Sequence, residues 1–353
     1  MRQGRTLSEF AAEIERQANC KHDYISDTRS LTMYNDLSLT LGAHRPDLAF
    51  NVQDTAHKQI AARIGIPAKY YNRMCDSAPA LLAANVNHWF HEEPERRMVR
   101  TIDGRARAFL SDRYARIDNV DVAASIMPVL AEEASKGQLT IISQEITDRK
   151  LYIKAVNPQV EQEVTVGDVV QAGVQITNSE IGLGALAVTP LIYRLICRNG
   201  MIVNDNRYRK YHIGAKATEG QDVYEMLSDE TLRADDNAVL LKARDVVRGA
   251  LDEARFSRTV DNLRDATGRK IEGNPVKAIE VLGKTLGITQ DEQTDVLRHL
   301  IEGGDLSAWG LANAVTRTAN DRYSYDRASD FEAFGGRVID LAPAAWHEIA
   351  IAA

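Results

Sequence analysis

Cysteine is scarce in this chain, and the familiar enzyme motifs are missing. Only three cysteines occur among 353 residues, they lie far apart, and none forms a CxxC pair. This pattern argues against a disulfide framework or a zinc knuckle and favours a reducing cytoplasm. The sequence also contains no Walker A loop, HExxH, GxSxG or dinucleotide-binding glycine pattern. No standard catalytic or nucleotide-binding motif therefore marks an active site.

Long apolar segments are missing as well. No stretch approaches the roughly 18 apolar residues that a membrane-spanning helix needs, and the N-terminus lacks the apolar centre of a signal peptide. The remaining composition, 44% hydrophobic and 26% charged, is that of a globular protein and excludes a disordered or collagen-like chain. At roughly 150 residues per domain, the length predicts about two domains.

The formal net charge of −7 is unevenly distributed along the chain. Residues 95–116 contain seven arginines against three acids, for a net charge of +4, and residues 193–216 contain six basic residues against one acid, for +5. The rest of the chain then carries −16, and residues 219–236 alone carry −6. The mean charge would disfavour a nucleic-acid partner, whereas the two basic segments favour one.

Hydrophobic periodicity predicts an α+β fold, in which an antiparallel β-sheet with hairpins is backed by helices and followed by a helical C-terminal region. We expect an α+β core over residues 1–218 and the helical region over 219–353. Helices are predicted over residues 7–19, from about 54, 67 and 77, and over 222–256, 275–286, 290–301 and 307–321. Strands are predicted over residues 32–41, 138–145, 150–156 and 164–176.

An Asp103-Gly104 pair between two alternating runs predicts a β-hairpin with a two-residue turn. A regular register would place Arg100 opposite Arg107 and Met98 opposite Phe109. Two arginines directly opposite each other repel unless an anion lies between them, so we expect them to contact phosphate. The alternative is neutralisation by Asp112, Asp118 or a distant glutamate.

A second basic segment, residues 189–200, begins with Thr-Pro and ends with Asn-Gly. Thr-Pro is typical of a helix start and Asn-Gly of a helix end, so a helix is the preferred prediction. The alternative is a hairpin with Arg194 opposite Asp205. Arg194 and Arg198 share a face in both cases, because four residues make about one helical turn and an even strand offset.

A third segment, residues 207–212, interleaves cations with aromatic side chains. Such a pattern suits single-stranded nucleic acid, since cations contact phosphates and rings stack on bases. A solvated edge strand is the alternative, and for a segment this short it is the commoner case.

Several segments of the sequence resemble the phage- and plasmid-related family called domain of unknown function 932. The resemblance covers about residues 25 to 340. The matching segments are GIP and YYNRM within 65–74, LLAANVNHW at 81–89, ARAFLSDRY at 106–114, DN at 118–119, NSEIG at 178–182, RLICRNG at 194–200 and WGLANA at 309–314. The family is in turn similar, more distantly, to the Rad fifty-two type single-strand annealing superfamily.

The resemblance implies a DNA-binding protein of a phage or plasmid that binds and anneals single-stranded DNA without nucleotide hydrolysis. It also implies a homo-oligomeric ring or filament and no cofactor, metal or catalytic residue. The basic clusters and this resemblance together predict the DNA-contacting residues: Arg100, Arg105, Arg107, Phe109, Arg113, Tyr114, Arg194, Arg198, Arg207, Tyr208, Arg209, Lys210 and Tyr211. We expect them to line a single groove.

The sequence is also compatible with two other functions. One is an enzyme that acts on nucleic acid or a phosphorylated small molecule, with Asp112, Asp118 and His212 as acid, base or metal ligand. A thiolate pair of Cys197 and His212 would need the fold to bring them together. The other is an interaction protein that binds a host defence factor through its acidic surface.

Overall fold

Two β-sheets and twelve α-helices make up the described part of the chain. The computed structural model describes residues 2–42, 48–114, 116–184, 186–203, 229–250, 253–322 and 324–353. The strands are β1 (Lys21–Asp27), β2 (Leu31–Met33), β3 (Ser38–Leu41), β4 (Ala49–Val52), β5 (Arg96–Ile102), β6 (Arg105–Ser111), β7 (Thr140–Ile146), β8 (Leu151–Thr165), β9 (Asp168–Asn178), β10 (Ala187–Arg194) and β11 (Asn199–Ile202). The helices are α1 (Leu7–Cys20), α2 (Asp54–Arg63), α3 (Ala68–Ser77), α4 (Pro79–Glu92), α5 (Asn119–Ser135), α6 (Asp229–Ala250), α7 (Glu253–Gly268), α8 (Pro275–Leu286), α9 (Gln290–Gly303), α10 (Ala308–Thr318), α11 (Tyr325–Ile339) and α12 (Pro343–Ala350).

The first sheet has six strands in the order β1-β5-β6-β4-β3-β2. Only the β4–β6 pairing is parallel. Helices α2, α3 and α4 supply apolar side chains to its core, among them Ile60, Tyr71 and Phe90. The Phe90 ring stacks on that of Phe109 from β6, with ring centres 5.5 Å apart. This core fixes the position of the β5–β6 hairpin.

The second sheet is an antiparallel meander in the order β11-β10-β9-β8-β7. At one end, Ile153 and Val174 belong to an apolar cluster with α1, α5 and α6. At the other end, Val170 and Ile192 belong to a cluster formed by helices α7 to α12. The C-terminal helices therefore share a hydrophobic core with the second sheet.

The α+β architecture with a helical C-terminal region is confirmed. Helices predicted at 7–19, 54, 67, 77, 275–286, 290–301 and 307–321 are present, and so are the strands predicted over 138–176. The single strand over 32–41 is wrong, since β2 and β3 form a hairpin there with Leu37 at a positive φ of 64°. Helices α5, α11 and α12 were not predicted, and the single helix predicted over 222–256 overlaps two helices, α6 and α7. The expected boundary between 218 and 219 lies outside the described residues.

The preferred helix over residues 189–200 is also wrong. Strands β10 and β11 form a hairpin there, and Arg194 pairs with Asn199 rather than with Asp205. Pro190 lies within β10, where a missing N–H is tolerated at a position that does not need to donate. Leu191 and Ile192 are both buried and pair with Gly173 and Ala172 of β9, so packing on β9 decides the conformation.

Candidate functional site

The β5–β6 hairpin has the predicted turn and an unpredicted bulge. Asp103 and Gly104 have positive φ angles of 49° and 71°, as a type I′ turn requires. Ile102 pairs with Arg105, but the register then shifts, so that Arg100 pairs with Ala108 and Met98 with Leu110. The predicted Arg100–Arg107 and Met98–Phe109 pairings are therefore wrong, because the extra residue at the bulge moves the register by one.

Arg100 is completely buried and its guanidinium is surrounded by acceptors. It binds both carboxylate oxygens of Asp23, at 2.8 and 2.9 Å, and one oxygen of Asp118, at 2.6 Å. Its remaining terminal nitrogen donates to the main-chain oxygen of Glu180 at 2.9 Å. Burial alone would lower the pKa of Arg100, but the charges of Asp118 and Asp23 outweigh burial and raise it. All three nitrogens of the Arg100 guanidinium therefore already donate to acceptors within the protein.

Arg107 and Lys21 complete the same buried cluster. Arg107 forms an ion pair with the Glu180 carboxylate, which also accepts from the main-chain nitrogen of Asn119 at 2.6 Å. Lys21 forms an ion pair with Asp118. Burial alone would raise the pKa of Asp118, but Arg100 and Lys21 hold it below its ordinary value. We call Lys21, Asp23, Arg100, Arg107, Asp118 and Glu180 the Glu180 network; it contains three cations and three anions.

The Glu180 network changes the expected role of three predicted DNA contacts. Arg100 is 0% exposed, Arg107 5% and Phe109 2%, so none of them presents its side chain at the surface. The alternative prediction, that Asp118 and a distant glutamate neutralise the two arginines, is the one observed. These ion pairs are buried rather than solvated. A guanidinium is buried at a tolerable cost only when carboxylates surround it, which explains the two arginines on this hairpin.

Tyr114 joins the loop after β6 to the loop after β9. Its hydroxyl donates to the main-chain oxygen of Ser179 at 2.8 Å, and burial raises the pKa of this hydroxyl. The Ser179 hydroxyl donates to the main-chain oxygen of Arg149, at 2.9 Å, in the β7–β8 turn. Gly182 has a φ of 77°, and a Cβ there would lie 2.7 Å from the Leu110 side chain. Three turns are thus held together at one edge of the molecule.

Exposed cations surround these three turns. Arg113, Arg116 and Arg149 are exposed, Arg96 has 69% of its side chain exposed, and Lys150 is half-buried. Arg96 lies 3.9 Å from Asp112, which places the start of β5 beside the end of β6. We call Arg96, Arg113, Arg116, Arg149 and Lys150 the basic rim. Residues 112–116 and 148–150, together with Arg96, hold these five cations and the two acids Asp112 and Asp148, which gives a net charge of +3.

The remaining described site residues lie elsewhere. Arg105 is exposed at the tip of the hairpin, beside Asp103, which pairs with Arg16 of α1. Arg194 pairs with Asp168 at the start of β9, whereas the Glu180 network adjoins the end of β9 at Asn178. Ten residues of strand separate these points by about 33 Å. The Glu180 network and Arg194 therefore lie at opposite ends of β9, and residues 207–211 of the expected groove lie outside the described residues. Arg198 is exposed in the turn after β10, with a positive φ of 49°.

Some predicted residues fall outside the described part of the chain. These are Arg207, Tyr208, Arg209, Lys210, Tyr211 and His212. Of the proposed acid–base residues, Asp118 is buried in the Glu180 network and Asp112 lies beside Arg96. Across the described ranges, no group of three His, Cys, Asp or Glu side chains is placed to hold a metal ion. None of the described helices is long and apolar enough to cross a membrane.

Sequence reasoning missed Asp23 and Glu180 as partners of the arginines and Lys21 as a partner of Asp118, and it missed Arg149 and Lys150 as surface cations. The two acids lie at least 73 residues from the arginines they contact, so local periodicity cannot detect them. The two surface cations had a usable signal. Asp148 and Arg149 fall between two predicted strands and Lys150 begins the second, where a turn exposes polar side chains.

A family model described as Domain of unknown function (DUF932) matches residues 108–330. The chain belongs to this family. The DUF932 match includes Asp118, Glu180 and the rim residues Arg113, Arg116 and Arg149, and it begins just after Arg107. No curated protein and no solved structure matches the chain. The DUF932 description names no activity, so only the site can indicate a function.

Proposed function

We propose that this protein binds single-stranded DNA through the phosphates, and that the basic rim is its contact surface. The observation that carries the proposal is the net charge of +3 in the segments of the rim, on a chain whose net charge is −7. Phosphate binding needs exposed cations that are close together, and it does not need a catalytic cluster.

The Glu180 network supports this role, because its three cations are matched by three anions. The carboxylates of the network therefore have their counter-charges within the network itself. The hydrogen bonds from Tyr114 and Ser179 also fix the two turns that carry Arg113, Arg116, Arg149 and Lys150. Preorganised cations lose less conformational entropy when a ligand binds, which favours affinity.

Single-stranded rather than duplex DNA is proposed because residues 207–211 alternate cations and aromatic side chains, a pattern suited to stacking on unpaired bases. The finer proposal is strand annealing in the recombination of a phage or plasmid, by a cytoplasmic homo-oligomer related to the Rad fifty-two type superfamily. The resemblance of the sequence segments supports this finer proposal, and the basic rim supports only the DNA contact.

A salt titration with a fluorescent single-stranded oligonucleotide tests the DNA contact. Wild-type protein should bind at about 50 mM salt, with affinity that falls steeply as salt rises. Replacing Arg113, Arg116 and Arg149 with glutamine should weaken binding by about 10- to 100-fold and reduce the slope of log K against log salt by about 2, at roughly 0.7 per lost contact.

The matched control removes the same charge far from the rim. Lys270→Gln, Lys277→Gln and Lys284→Gln change three exposed lysines, which lie before α8, in its first turn and in its last turn. This control should bind as wild type does. Absence of binding at about 50 mM salt, or equal weakening by both triple variants, would overturn the proposal, because binding would then be absent or governed by overall charge alone.

A further inference from the structure

A cleft of about 500 Å³ lies between the β8–β9 turn, the β10–β11 turn and helices α9 and α10. Clefts of this size accept small molecules. Asp168, Arg194, Cys197, His299 and Trp309 are among its lining residues. It lies at the opposite end of β9 from the basic rim, so it is a separate site.

Arg194 is held in a fixed position at this cleft. Its guanidinium makes two hydrogen bonds to the Asp168 carboxylate, at 2.6 and 2.9 Å, and lies 5.9 Å from the ring centre of Trp309. The Trp309 indole N–H also donates to Asp168, at 3.0 Å. The second terminal nitrogen of Arg194 donates to Cys197 Sγ at 3.3 Å. A fixed cationic donor therefore faces the only cysteine that lines the cleft.

His299 gives an independent indication that the cleft takes a ligand. Its side chain is 4% exposed, and its Nε2 pairs with Asp321 at 2.7 Å. The other ring nitrogen, Nδ1, is buried and makes no hydrogen bond, with the nearest carboxylate oxygen, from Glu302, at 3.4 Å. A buried nitrogen without a hydrogen bond costs free energy unless a partner binds it. A hydroxyl-bearing ligand in the cleft would supply that partner.

The mouth of the cleft is apolar. Val166 in the β8–β9 turn is 98% exposed and Ile196 beside Cys197 is 60% exposed. Apolar side chains at the mouth favour entry of a small uncharged molecule over a highly charged one.

We propose that Cys197 is a modification site, whose thiol is oxidised to a sulfenic acid by hydrogen peroxide or a small organic hydroperoxide. The sulfur attacks one peroxide oxygen, so that an S–O bond forms as the O–O bond breaks. Sulfur loses two electrons and the peroxide gains them. The departing hydroxide or alkoxide takes the proton released by the thiol and leaves as water or an alcohol. The Arg194 N–H stabilises the negative charge on sulfur during the attack.

The other two cysteines provide an internal comparison in the same folded chain. Cys75 lies in α3, where burial raises the pKa of its thiol and so disfavours the reactive thiolate. Cys20 ends α1 and, like Cys197, is half-buried. All three are free thiols, so a difference in their rates reports their surroundings.

The test treats the full chain with hydrogen peroxide, traps sulfenic acid with dimedone, and measures each cysteine by mass spectrometry over time. We expect Cys197 to react about tenfold faster than Cys20 and Cys75. A rate for Cys197 equal to or below that of either cysteine would overturn the proposal. This comparison uses the wild-type protein and needs no variant.

A pair of variants then tests the part played by Arg194. Arg194→Gln removes the donor to sulfur, and Arg198→Gln removes an arginine from the exposed turn while keeping a side chain at the same positive φ. Arg194→Gln should slow oxidation of Cys197 by about fivefold or more, whereas Arg198→Gln should leave the rate within about twofold. Equal rates in the two variants would contradict the role of the guanidinium.

Discussion

The ammonium nitrogen of Lys154 lies 2.5 Å from a carboxylate oxygen of Glu332, and both side chains are buried between β8 and α11. The ammonium also lies 4.8 Å from the ring centre of Tyr325. Burial alone would lower the pKa of Lys154, but the Glu332 charge outweighs burial and raises it. Lys154 therefore stays charged, and its hydrogen bond to Glu332 joins the second sheet to a helix residue 178 positions further along the chain.

Removing one member of this pair should destabilise the fold strongly. Lys154→Met leaves the Glu332 carboxylate buried without its counter-charge, and we expect the free energy of unfolding to fall by about 3–5 kcal/mol. Urea unfolding followed by circular dichroism measures the change. The double variant Lys154→Met with Glu332→Leu should recover most of the loss, because it removes both charges. A double variant no more stable than Lys154→Met would show that the cost lies elsewhere.

Arg100 and Arg105 both lie on the β5–β6 hairpin but should differ in their contribution to stability. Arg100→Met deprives Asp23 and Asp118 of their buried partner and should cost about 3–5 kcal/mol of unfolding free energy. Arg105→Met changes an exposed side chain at the hairpin tip and should change stability by less than about 0.5 kcal/mol. Thermal unfolding of both variants checks this expectation. Equal stability of the two would mean that the Glu180 network does not support the fold.

The left-handed backbone of the hairpin turn should make Gly104 sensitive to substitution. Gly104 has a φ of 71°, and the space around its missing Cβ is open. Gly104→Ala should therefore cost about 1 kcal/mol through left-handed strain rather than through a clash. Gly303 also has open space, but its backbone is not in the left-handed region. Gly303→Ala should be neutral or stabilising, and destabilisation of both proteins to the same degree would refute the strain argument.

Glu292 should make stability depend on acid pH. Hydrogen bonds from Arg327, at 2.6 and 2.8 Å, lower its pKa to about 2 from the ordinary 4.5. A lowered folded-state pKa adds stability that is fully present above about 4.5 and is lost as pH falls towards 2. Unfolding free energies between pH 5 and 2 should therefore fall less steeply in Glu292→Gln than in wild type. Glu280→Gln, a change on an exposed helix face, should keep the wild-type slope.

Local signals in the sequence were enough to predict the α+β class, most helices and the Asp103-Gly104 turn. These features depend on periodicity, caps and turn residues that lie within a few positions of each other. The helix predicted over 189–200 failed for the opposite reason. Its Thr-Pro and Asn-Gly signals are local, whereas the strand pairing of Leu191 with Gly173 that overrides them is not.

The candidate site was harder to predict than the fold. The pattern of arginines on β5 and β6 indicated that anions lie beside them, and this is correct. The sequence could not tell a carboxylate of the same chain from a phosphate of a ligand. Glu180 follows β9 of the second sheet, whereas Arg107 lies on β6 of the first. Their ion pair therefore depends on how the two sheets meet, which local patterns do not show. The bulge that moves Phe109 into the core also lacks a local signal.

Because the Glu180 network is buried, salt that would release a ligand from the exposed rim should leave the fold intact. At about 1 M salt the screening length is roughly 3 Å, which weakens exposed contacts far more than buried ones. If the basic rim binds DNA as proposed, a concentrated salt wash should release the DNA while the scaffold beneath stays assembled. Dilution alone should then restore the binding-competent protein, so that removal of bound nucleic acid requires no denaturant and no refolding.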